Sequence, residues 1–112
     1  MTDTRSVDQG LSATFAAKAV VPKKQIADAE QFLSLIGNAK AVPTQTDVQK
    51  GKQLLSDLDD KTELYEFNAA ILAGQEATND KDLEQRVDTI AKSIRPAEVA
   101  SDRLREALKT LG

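Results

Sequence analysis

Five carboxylates crowd one short stretch, Asp57, Asp59, Asp60, Glu63 and Glu66. Side chains of this type at this density can hold a hard cation or share a proton in acid and base work. The calcium reading fails on spacing. A loop of the EF-hand kind starting at Asp57 needs a ligand where Lys61 stands, glycine where Thr62 stands and glutamate where Asn68 stands. Without that order the five acids predict the solvated face of a helix, available to a basic partner. Arg86, Arg95, Arg103 and Arg105 form the opposite cluster, of the type that grips phosphate or carboxylate. Asp82 stands four residues before Arg86, and Asp88 four before Lys92, so ordinary pairs along a helix account for this charge.

What is missing restricts the chemistry further. The chain has neither histidine nor cysteine. That removes Ser–His and Cys–His nucleophiles, thiolate metal sites, disulfides and the usual proton switch near neutral pH. No glycine-rich phosphate cradle and no zinc-ligand spacing occurs. The sequence therefore predicts no catalytic residue, no cofactor, no metal and no enzyme.

The elements that carry these residues read as helices. At 112 residues the chain is the size of one domain. Sixteen alanines and only four aromatic residues, Phe15, Phe32, Tyr65 and Phe67, predict a thin aliphatic core between closely approaching helices. Ile26, Ala29, Phe32, Leu33 and Ile36 place a helix over about 23–38, ended by Gly37 and Asn38. Pro43 and its threonines make a loop, and Thr46 with Gln49 has the spacing of a capping box. Val48, Gly51, Leu55, Leu58, Thr62, Tyr65, Ala69 and Leu72 then step by threes and fours. One long helix over about 47–75 explains that phase better than two helices split near Asp60.

Thr78 or Asn79 caps the last segment, and Asp80, Asp82 and Glu84 suit its positive end. Leu83, Val87, Ile90, Ile94, Ala97, Ser101, Leu104, Leu108 and Leu111 keep one register through Pro96. That continuity predicts a helix over 80–111 kinked at Pro96, in preference to a restart capped by Ser93. The expected fold is all-α, a three-helix bundle-like arrangement: an antiparallel hairpin of two long helices, a shorter helix, and an N-terminal arm over 1–22. Residues 23–112 are expected to form a single helical domain.

Function follows from what such a hairpin leaves uncovered. Its stripes need more cover than two helices supply, so Leu11, Phe15, Val20 and Val21 of the arm and Leu83, Val87, Ile90, Ile94, Leu104 and Leu108 are the candidate partner-binding residues. The acidic residues 57–66 are a second candidate surface. The expected function is a structural or assembly subunit that self-associates or packs into a larger complex, such as a phage particle or a secretion apparatus. The alternative is a helical binding module serving as chaperone, inhibitor or adaptor for a basic protein. The expected partner is protein, as a homo-oligomer or in a larger assembly. Nucleic acid is disfavoured because the net charge is −3 and residues 80–112 balance seven acids with seven bases. No apolar run reaches membrane-spanning length, and Lys18 interrupts "LSATFAAKAVV", so neither a membrane span nor a cleaved signal peptide is expected. A cytoplasmic location or a place in an assembled particle follows.

Overall fold

The computed structural model describes residues 19–38 and 42–111, and these are all helix and short connection. The order is α1 (Lys23–Asn38), α2 (Gln45–Glu76), α3 (Asp80–Ser93) and α4 (Arg95–Leu111). The all-α expectation holds, with helices packed against one another. Helix α2 runs unbroken for 32 residues, so its polar middle does not split it near Asp60. Thr62 lies inside it and donates its hydroxyl to the carbonyl of Leu58 at 2.7 Å.

Two boundaries differ from the sequence reading, each for a local reason. Helix α2 starts two residues early because Thr44, not Thr46, closes the capping box. The Thr44 backbone N–H and hydroxyl donate to Asp47 Oδ2 at 2.8 and 3.0 Å, and the Asp47 N–H returns to Thr44 Oγ1 at 3.3 Å. A carboxylate at the third helical position accepts more strongly than the Gln49 amide and also suits the helix dipole.

The bend between α3 and α4 falls at Ile94 and not at Pro96. Ile94 keeps right-handed backbone angles, φ −89° and ψ −6°, and its N–H reaches the Ile90 carbonyl at 3.1 Å. Pro96 then lies in the first turn of α4, where its missing donor leaves no helical bond unmade. Ser93 is no cap, since its hydroxyl donates back to the Thr89 carbonyl at 2.7 Å.

The chain divides into two compact units. The first comprises Pro22–Thr62 and Arg95–Gly112. Its core is Ala29 and Phe32 from α1, Leu58 from α2, and Ala97, Ala100, Leu104 and Leu108 from α4. Helix α1 lies directly against α4. Gly51 shows how close this packing is: a Cβ there would lie 2.7 Å from Leu108 Cδ2 and 2.8 Å from Phe32 Cζ. The glycine is needed for the approach of two side chains to the α2 backbone and not for a turn, since no described glycine has positive φ.

The second unit contains the stretch ending at Val21 and Glu63–Ile94. Tyr65 and Ala69 of α2 meet Ile94, with Ala19, Val21 and Ile90 packed around them. Asn79 caps α3 by accepting from the Asp82 N–H at 2.8 Å. Asp82 in turn accepts from the Thr78 N–H at 3.0 Å, a variant of the α2 entry in which the return bond goes to the residue before the cap.

Candidate functional site

Each helix turn advances about 100° per residue, so α2 presents more than one face. In the second unit the buried face carries Tyr65, Asn68, Ala69 and Ala73. Asn68 is accommodated there by donating to the Leu64 carbonyl at 2.8 Å. Phe67 lies about 200° around from Ala69 and is 64 % exposed. Leu64, also exposed, and half-buried Ile71 stand three residues before and four after it. Leu64 and Phe67 thus lie exposed on one side of α2, and half-buried Ile71 continues their line. Glu63 lies one turn before Phe67 and Glu66 adjoins it, both exposed.

The first unit carries a concavity of its own. Phe32, Leu35 and Ile36 of α1, with Val42, Pro43 and the start of α2 at Thr44, Asp47 and Lys50, enclose a groove of about 270 Å³. Leu35 and Val42 on its walls are 61 % and 89 % exposed. The Thr44 N–H holds the Asp47 carboxyl below the usual aspartate range, so that acid keeps its negative charge at the groove's edge. Lys50 adds to that lowering but forms no ion pair with a described residue.

The candidate residues read from the sequence separate into three groups. Leu11 and Phe15 lie outside the described residues. Ile94, Leu104 and Leu108 are buried, and Ile90 and Val21 are half-buried against the Tyr65 cluster, so these serve the protein's own cores. Val20, Leu83 and Val87 are exposed. Phe67, Leu64 and Ile71 were absent from the expected partner surface, although their three-and-four spacing is a second stripe beside the first.

The acids separate as well. Asp57, Asp60, Glu63 and Glu66 are exposed and make no ion pair with a described residue. Asp59 is engaged within the first unit: it accepts from the hydroxyl of buried Ser101 at 2.6 Å and from Arg105 Nη2 at 2.9 Å. Among the arginines, Arg86 is held by Asp82 at 3.1 Å and Glu76 at 3.2 Å, and Arg105 also reaches Asp102 at 3.4 Å. The Asp88–Lys92 pair forms at 2.9 Å and pulls the lysine above its usual value.

A further recess of about 270 Å³ in the second unit is lined by Ala19, Tyr65, Leu72, Glu76, Arg86 and Ile90 among others. Its charged members are already paired with each other. No cluster of three potential metal ligands exists among the described residues, and no helix there is long and apolar enough to cross a membrane.

No family model, curated protein or solved structure matches this chain.

Proposed function

We propose that this chain is a non-enzymatic assembly subunit whose work is to bind protein, including further copies of itself. The observation that carries the reading is the Leu64–Phe67–Ile71 stripe, with Phe67 64 % exposed on the side of α2 remote from the core. An exposed aromatic at the centre of an apolar stripe is the composition of an interface anchor. It also supports the reading that, among the described residues, Arg86 and Arg105 are paired with carboxylates of the chain's own helices and no group of three potential metal ligands converges.

Sedimentation velocity of the full chain over a concentration series tests this. A discrete multimer that gains population with concentration is expected, and a monomer throughout contradicts self-association. A second reading, an adaptor for a basic partner, is favoured by the exposed carboxylates Asp57, Asp60, Glu63 and Glu66 on α2, for which no described residue supplies a counter-charge. A stable monomer that binds lysine-rich helical peptides with steep salt dependence is its signature.

A further inference from the structure

We draw no further inference here: the strongest candidate, the exposed Leu64–Phe67 line on the outward side of α2, is the surface on which the proposed function already rests, and nothing in the structure shows what covers it.

Discussion

Phe67 and Ala69 are two residues apart on α2 and belong to opposite faces, Ala69 sealed against the Ile94 cluster and Phe67 left 64 % exposed. One helix therefore serves an internal core and an outward apolar stripe at once. The division separates stability from association: Phe67→Ser is expected to change the unfolding free energy of the monomer by no more than about 0.5 kcal/mol, while Ala69→Asp, which buries an unpaired charge, costs several times that. Urea unfolding followed by fluorescence of Tyr65, the single tyrosine in a chain without tryptophan, measures both.

The two described helix-interior glycines of α2 are expected to respond in opposite directions to alanine. At Gly74 a Cβ meets nothing within 4 Å, and helical φ needs no glycine, so Gly74→Ala stabilises by about 0.5–1 kcal/mol through helix propensity. At Gly51 the same propensity gain opposes overlap with Phe32 Cζ at 2.8 Å and Leu108 Cδ2 at 2.7 Å. Leu108 can turn aside, but the tip of a packed phenyl ring cannot without moving α1. Overpacking of about 1–3 kcal/mol exceeds a gain of about 1 kcal/mol, so Gly51→Ala is a net loss in the same assay.

Asp59 and Ser101 form an asymmetric pair. Removing the acceptor strands a hydroxyl on a residue only 7 % exposed, whereas removing the hydroxyl strands nothing that water cannot reach, since Asp59 is partly exposed and keeps Arg105. Asp59→Ala is therefore expected to cost about 1–3 kcal/mol and Ser101→Ala distinctly less. Thermal unfolding of the two variants and the double variant checks this. Equal losses from the two single substitutions contradict it.

Acid sensitivity is expected at the entry to α3. The Thr78 backbone N–H and then Arg86 hold the Asp82 carboxyl below its ordinary value. A lowered folded value means the carboxylate contributes stability above the ordinary aspartate range, near pH 3.9, and loses it as the pH falls through the folded value. Circular dichroism against pH is expected to show an acid limb that Asp82→Asn flattens, together with lower stability of that variant at pH 7.

The sequence carried most of the architecture because its apolar phase is physical and local. Val48 to Leu72 kept one register through the polar stretch around Asp60, and α2 is one helix. The misplacements are of another kind. Thr44 and Thr46 each precede a potential cap acceptor by three residues, and only the stronger acceptor, Asp47, decides between them. Pro96 signals the bend, but the break itself is at Ile94, because the proline is accommodated within the first turn of α4. Asp59 read as solvated because its partner Ser101 is 42 residues away, a relation no helical period encodes. The outward stripe was overlooked for a similar reason: Leu64, Phe67 and Ile71 run beside the core stripe with the same spacing, and burial alone tells the two apart.

The absence of cysteine permits the most direct measurement of the central claim, that another protein copy covers the Phe67 face. Ala70 is exposed one turn beyond Phe67 on α2, so Ala70→Cys installs a single thiol beside the anchor and leaves the anchor in place. The rate of maleimide labelling is then followed from nanomolar to high micromolar protein. The account predicts a rate that falls as concentration rises and is restored by Phe67→Ser. A rate independent of concentration, equal with and without Phe67, would contradict it.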